Sequence, residues 1–223
     1  MNFEIPFLVF HVEPARFLLV ADDPGDYIYP ICGRIAKMDE DDNYILAGKF
    51  RLYYVDIASA INTGYIDVFD IFDAHSESTS DYYDSLFDPD TTGFSENLQQ
   101  LFNYEIFEQS VMIIDRLELL PGYRGKNLGL TIMRRLIQRF SPGAGVVAIK
   151  PFPLQFEQSI PAEDKSGWHA EMQLSSFRET EQDSIRKLQN HYGKLGFVEM
   201  KSTPHMILST ARRLPSIEKL LTC

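Results

Sequence analysis

The chain has 223 residues, 44% of them hydrophobic and 24% charged, and a formal net charge of -11. That composition can build a full-sized core and excludes a disordered or fibrous chain. The acidic excess argues against nucleic acid as a partner, because a phosphate-binding surface needs a basic one. A basic acceptor such as an amine or a lysine-rich protein is compatible with it.

The two cysteines, Cys32 and Cys223, lie almost a chain length apart without metal spacing and read as free thiols of a reducing compartment. The N-terminal run IPFLVFHVEPARFLLVA is apolar but carries Pro6, Glu13 and Pro14, and no basic residue precedes it as a secretion signal requires. No stretch is apolar for the length of a membrane span. The expectation is a cytoplasmic protein, monomer or homodimer, with no membrane partner.

Residues 5–12 and 16–21 read as short strands separated by proline, and DDPGD at 22–26 reads as a turn. After the acidic run MDEDDN at 38–43, the stretch YILAGKFRLYYVDIAS is aromatic and β-branched, which suits a further strand or hairpin half. From 65 to 87, Ile66, Phe69, Phe72, Tyr83, Leu86 and Phe87 recur at helical steps. DPDTTG at 88–93 is a turn cluster, and Ser95 before Leu98, Leu101 and Phe102 suggests a short capped helix.

The run IFEQSVMIIDRLELL at 106–120 is apolar on both faces and predicts an inner strand ending at Pro121. Leu128, Ile132, Leu136 and Phe140 then give one face of an amphipathic helix, with arginines opposite. SPGAG closes it and GVVAIK at 145–150 begins the next buried strand. Residues 151–183 form an irregular connection holding Phe152 and the single tryptophan, Trp168. A connection of this length is expected to be functional or mobile, and it is placed at the acceptor side of the site. Ile185, Leu188, Tyr192 and Leu195 mark a helix stopped by Gly196, and FVEM and HMILST close the domain as a hairpin. The order of elements is that of an α/β (α+β) domain with a mixed central sheet.

Between strand and helix the chain reads LLPGYRGKNLGL. A strand that turns through glycines straight into a helix leaves amides without internal partners at the positive end of the helix dipole, which suits an anion. Arg124 and Lys126 would add countercharge, while Gly125 and Gly129 would let a phosphate approach the backbone. The spacing is neither GxxxxGK nor GxGxxG. A plain structural turn remains the alternative.

The segment LLPGYRGKNLGLTIMRRLI resembles the acyl-CoA-binding motif of the GNAT superfamily of N-acetyltransferases: Arg or Gln, two residues, Gly, one residue, Gly or Ala. HYGKLGF at 191–197 is similar to the family's late helix ending. The resemblance covers residues 106–210 and implies one GNAT-like domain over 1–223, with an acyl-CoA core at 106–210. Residues 1–105 would be a divergent acceptor side, and 211–223 a C-terminal tail. It further implies that Arg124, Gly125, Lys126, Asn127, Leu128, Gly129 and Leu130 hold the pyrophosphate of acetyl-CoA. Backbone groups of Leu119 and Leu120 would meet the pantetheine and thioester, and Tyr192 would protonate the departing thiolate. Two positions depart from the family pattern. Asn127 stands where it has glycine, and Ile185 stands where the late helix often begins with asparagine.

The implied reaction is direct attack of a primary amine on the thioester, which needs a base for the ammonium and an acid for the sulfur. Glu118, beside the strand end, is the candidate base. Asp115 is placed on the opposite face by strand alternation, so only one of the two is expected to face the cleft. Tyr192, with a reference pKa of about 10, stays protonated at neutral pH, although its spacing also suits core packing. Asp67, Asp70 and Asp73 form an acidic stripe near His75 that could attract a cationic acceptor. Asp88, Asp90 and Gly93 begin like a calcium loop, but Gln99 stands where the bidentate glutamate belongs, so no metal is expected. A non-catalytic coenzyme A-binding or protein-interaction module, and an acyltransferase for a longer acyl-CoA, are the rival readings.

Overall fold

The computed structural model describes residues 8–10, 23–39, 41–64, 67–125, 127–157 and 167–222; the strand expected at 16–21, Lys126 and Cys223 fall outside them. β1 (Leu8–Phe10), β2 (Ile28–Met38) and β3 (Tyr44–Val55) pair antiparallel in sequence order. β2 was not foreseen, because Pro30 and Gly33 break the strand pattern that a ladder normally shows. The acidic run makes the β2–β3 turn: the Asp39 carboxylate accepts from the amides of Asp41 at 2.9 Å and Asn43 at 2.8 Å.

The strand stops at Val55 rather than running on to residue 59, because Asp56 caps the next helix, accepting from the Ser59 amide at 3.0 Å. Four short helices follow: α1 (Ile57–Asn62), α2 (Val68–Asp73), α3 (Glu77–Leu86) and α4 (Glu96–Gln99). Thus the helical stretch expected at 65–87 is two helices, divided where Ser76 and Thr79 form a reciprocal capping box. Ser95 caps α4 as its position in the sequence implied.

β4 (Ser110–Leu119), α5 (Leu128–Phe140) and β5 (Ala144–Ile149) form a β-α-β crossover, the parallel pair of an otherwise antiparallel sheet. Beyond it lie α6 (Trp168–Met172), α7 (Glu181–Gly193), β6 (Val198–Glu199), β7 (Met206–Ser209) and α8 (Ile217–Thr222). The last lies within the segment expected as a C-terminal tail, and it buries Leu220 in the core. The described residues make one seven-stranded sheet, ordered β1-β2-β3-β4-β5-β7-β6. Strands from both halves of the chain share it.

Alternation along the central strands sends side chains to two cores. Val111, Ile113, Val146 and Ala148 pack with α1 to α4 on one face, while Met112, Ile114, Val147 and Ile149 pack with α5 and α8 on the other. Residues 111–114 are buried to 1% exposure or less, as a strand with apolar neighbours on both faces should be.

At Asp115 this regularity breaks. Arg51 of β3 pairs with Arg116 and Leu52 with Ile114, so Asp115 is an extra residue, a β-bulge. Leu117 and Leu119 therefore take over the α5 face, and Glu118 turns to the side of Trp168. The bulge also ends the pairing of β4 with β5, whose last pair is Ile114 with Ile149. β4 continues to Leu119, whereas β5 gives way to Lys150-Pro151-Phe152-Pro153, whose prolines cannot donate to a ladder. The two strands part and leave a fork.

Candidate functional site

The fork opens into a cleft of about 1070 Å³. Its floor is the free edge of β4 and the end of β5. Its walls are one face of α3, the start of α5, the length of α7 from Glu181 to Tyr192, and the chain after Phe152. A strand edge with no partner exposes backbone donors and acceptors, so the floor is polar at the point where the apolar sheet core ends.

At one end of the cleft lies the turn. A short 3-10 stretch, Pro121–Tyr123, leads into Gly125 at φ +79° and Asn127 at φ +53°, both left-handed. Glycine adopts that region freely and asparagine is the side-chain-bearing residue that best tolerates it, so Asn127 keeps the turn that the expected glycine would have made. The first intrahelical bond of α5 closes from the Thr131 amide onto the Asn127 carbonyl at 3.2 Å. The amides of Leu128, Gly129 and Leu130 precede that bond. Gly129 lines the cleft, and a Cβ there would meet nothing nearer than 3.8 Å. Neither backbone conformation nor packing therefore demands glycine at 129. Its missing side chain leaves space at the helix start.

The expected residues separate into two groups. Leu119, Arg124, Gly129 and Tyr192 line the cleft. Leu130 is buried in the core under α5 and Leu128 packs against that same core, while Leu120 packs beneath Trp168. The backbone of the strand end is largely committed. The Leu120 amide donates to the Ala47 carbonyl at 2.9 Å, the Leu120 carbonyl accepts from the Tyr123 amide at 2.9 Å, and the Leu119 carbonyl accepts from Arg124 Nε at 2.7 Å. Among the described residues, the β4 edge at 115–118, not Leu120, offers the unpaired polar backbone.

Arg124 is also drawn away from a countercharge role. Besides Leu119 it donates to the Met172 carbonyl at 2.7 Å and lies 5.3 Å from the Phe177 ring. Burial lowers the pKa of its guanidinium. The side chain fastens the turn to the chain after α6.

Tyr192 closes the cleft from the last turn of α7, where its ring stands 6.3 Å from that of Phe197. Its hydroxyl has no hydrogen-bond partner among the described residues. Burial pushes the phenol up to about 12, so it is a proton carrier across the physiological range.

Glu118 is placed differently. It is 8% exposed, accepting from Arg116 Nη1 at 2.8 Å and from Trp168 Nε1 at 2.7 Å. Arg116 in turn pairs with Glu157, and Lys49 lies 4.2 Å over the Trp168 ring. Both oxygens of Glu118 are thus occupied in a buried charged network, and its side chain is not part of the cleft wall. The network anchors the connection after β5 to the sheet. Trp168 accordingly packs rather than lining the cleft; Phe152 does line it.

Comparison of the chain with family models, curated proteins and solved structures finds no match. The chemistry of the cleft rests on its own geometry.

Of Asp115 and Glu118, the one that lines the cleft is Asp115, and the bulge is the reason. Simple alternation put Asp115 and Glu118 on opposite faces; the extra residue brings Asp115, Arg116 and Glu118 to the same side. Asp115 pairs with Arg51 of β3, whose side chain is also in the cleft. Opposite them, Lys150 at the end of β5 holds Asp81 of α3 at 2.9 Å. The acidic stripe is elsewhere: Asp67 caps α2, accepting from the Asp70 amide at 3.3 Å, and none of Asp67, Asp70 and Asp73 borders the cleft. His191 lines it, with its pKa lowered by burial and by Lys194. Arg51 was the residue sequence reading overlooked. Its signal was a lone charge inside the aromatic strand FRLYYV.

Proposed function

We propose that the chain is an N-acetyltransferase of the GNAT type that transfers the acetyl group of acetyl-CoA to a primary amine. The observation that carries this reading is the fork: β4 outruns β5 from Asp115 to Leu119, and the start of α5 and the ring of Tyr192 border the same opening. The free β4 edge can hold an amide-rich chain by strand-like hydrogen bonds. The α5 amides and the space left by Gly129 suit a pyrophosphate. Acetyl-CoA would supply the activated acyl carbon.

The residues then divide the work. Asp115 takes the proton of the incoming ammonium, so that the neutral nitrogen attacks the thioester carbonyl as the carbon–sulfur bond breaks. Tyr192 gives its phenolic proton to the departing sulfur, and the second proton that the nitrogen loses as the amide forms restores the phenol through solvent. The free amides of β4 stabilise the oxyanion between these steps. Glu118, the base expected from sequence, instead holds Arg116 and Trp168 in place.

Tyr192→Phe tests the assignment. It should lower kcat by about 10²- to 10⁴-fold while leaving the affinity for acetyl-CoA unchanged. Unchanged turnover would remove the tyrosine from the mechanism. A non-catalytic module that binds coenzyme A is the second reading, favoured by the diversion of Arg124 to the Met172 carbonyl. It is distinguished by stabilisation with coenzyme A but no acetyl transfer to any amine. The volume of the cleft also leaves room for a longer acyl chain. A ranked series of acyl-CoA substrates reads that preference directly.

A further inference from the structure

We infer that Arg51 anchors a carboxylate carried by the acceptor, so that the substrate is a small amino acid-like amine rather than a simple cation. The inference rests on the acetyltransferase reading of the cleft and names its substrate class.

Among the described residues three arginines line the cleft, and their guanidinium groups are in different states. Arg116 spends both terminal nitrogens on Glu118 and Glu157. Arg124 spends Nε and Nη2 on the carbonyls of Leu119 and Met172. Arg51 uses only Nε, toward Asp115, and its guanidinium carbon lies 6.0 Å from the Tyr53 ring centroid. Its Nη1 and Nη2 have no hydrogen-bond partner among the described residues, and 44% of the side chain is exposed. The bond at Nε and the ring beside it orient the plane of the group. What remains is a planar pair of donors presented to the cleft, the geometry that a carboxylate accepts in bidentate fashion.

Position limits the ligand further. Asp115 is the bulge residue at the point where β4 leaves β5, and Arg51 pairs opposite Arg116 on the adjoining strand. Arg51 is ion-paired with Asp115 itself, so the anion site adjoins the carboxylate that would meet the amine. Amine and carboxylate must then be separated by only a few bonds. Asp115 and Arg51 together would read a zwitterion, the first meeting the ammonium and the second the carboxylate. A purely cationic acceptor would face the Arg51 guanidinium with like charge. A phosphate dianion would face Asp115 and, across the cleft, Asp81 and Glu77, which favours an anion of single charge.

The test is equilibrium binding of reaction products to the full chain with saturating free coenzyme A. N-acetyl derivatives of glycine, alanine, phenylalanine and glutamine are each compared with the corresponding C-terminal amide. At least one acid should bind tenfold or more tightly than its amide, and Arg51→Gln should reduce that acid to the level of the amide. Equal binding of acid and amide throughout, no binding of any acid, or a preference that survives Arg51→Gln would each overturn the inference. N-acetylated phosphoethanolamine binding more tightly than N-acetyl-β-alanine would overturn the carboxylate assignment in favour of phosphate. If Arg51→Gln does not fold, Arg51→Lys replaces it; keeping the charge without the fork should cost most of the preference. Failure of coenzyme A itself to bind strikes at the acetyltransferase reading instead. The comparison of acid and amide without coenzyme A still reads Arg51.

Discussion

The two halves of β4 differ in everything except being one strand. Residues 111–114 are paired on both sides and bury Val111 to Ile114 in two cores. Beyond the bulge residue Asp115, residues 116–119 are paired on one side only, and this half carries Asp115, Arg116 and Glu118. One inserted residue separates them. The first half is set by burial, the second by where each charge finds a partner, and the polar edge of a cleft appears where the first regime ends. A bulge at that boundary turns a strand built for stability into one that presents charged groups to a cleft.

Substitutions can break this contrast. Ile113→Ala in the paired half should leave a cavity under α1 to α4 and cost about 2–5 kcal/mol, read from urea denaturation. In the flared half, Glu118→Gln should cost about 3 kcal/mol, because it leaves the Arg116 charge short of a partner in a buried site. The same variant should retain most of its acetyl transfer per folded molecule. A stable Glu118→Gln protein with no activity would restore Glu118 as the base and undo the contrast.

Acid should loosen the packed side. His205 is 2% exposed, bonded through Nδ1 to Ser85 Oγ at 2.8 Å and stacked on Tyr82, while its Nε2 has no partner. Burial, with Lys150 adding to it and Asp81 opposing, lowers its pKa to about 4. A histidine that binds its proton more weakly when folded destabilises the fold as pH drops below its unfolded value of about 6.5, and the loss levels off near the folded pKa. About 3 kcal/mol should disappear between those limits, and His205→Gln should flatten that slope in denaturation curves at stepped pH.

Much of the paired half was legible in the sequence, and so was α5. β-branched residues without polar interruption gave the inner strand, and apolar four-residue spacing gave the helix with its bounds at Leu128 and Phe140. Asn127, standing where the family pattern has glycine, takes the left-handed conformation that its residue type best tolerates. The bulge was not legible, because an extra residue in β4 is defined only against its partner in β3, sixty-odd positions away. With it went the orientation of Asp115 and Glu118, and hence the choice of base. β2 was hidden by Pro30 and Gly33, residues that a strand tolerates only when its neighbours allow it. Arg124 was read as countercharge because the carbonyl of Met172, 48 residues on, does not show in a local motif.

The smallest effect is the most discriminating for the flared end. Gly129→Ala should leave stability unchanged or raise it by up to about 1 kcal/mol, since a helical alanine is favoured and the space is open. It should nonetheless weaken acetyl-CoA binding in a direct titration. Equal affinity would mean that the helix start does not touch the ligand.

The central claim, that the fork between β4 and β5 is an acyl-CoA site, is tested most directly by the melting temperature of the intact chain with and without acetyl-CoA. At a hundredfold excess over Kd, ligand linkage supplies about 2.7 kcal/mol, which for a domain of this size is a rise of roughly 5–10 °C. That rise is expected with acetyl-CoA, and a comparable one with free coenzyme A. No shift with acetyl-CoA, longer acyl-CoAs or coenzyme A would contradict it.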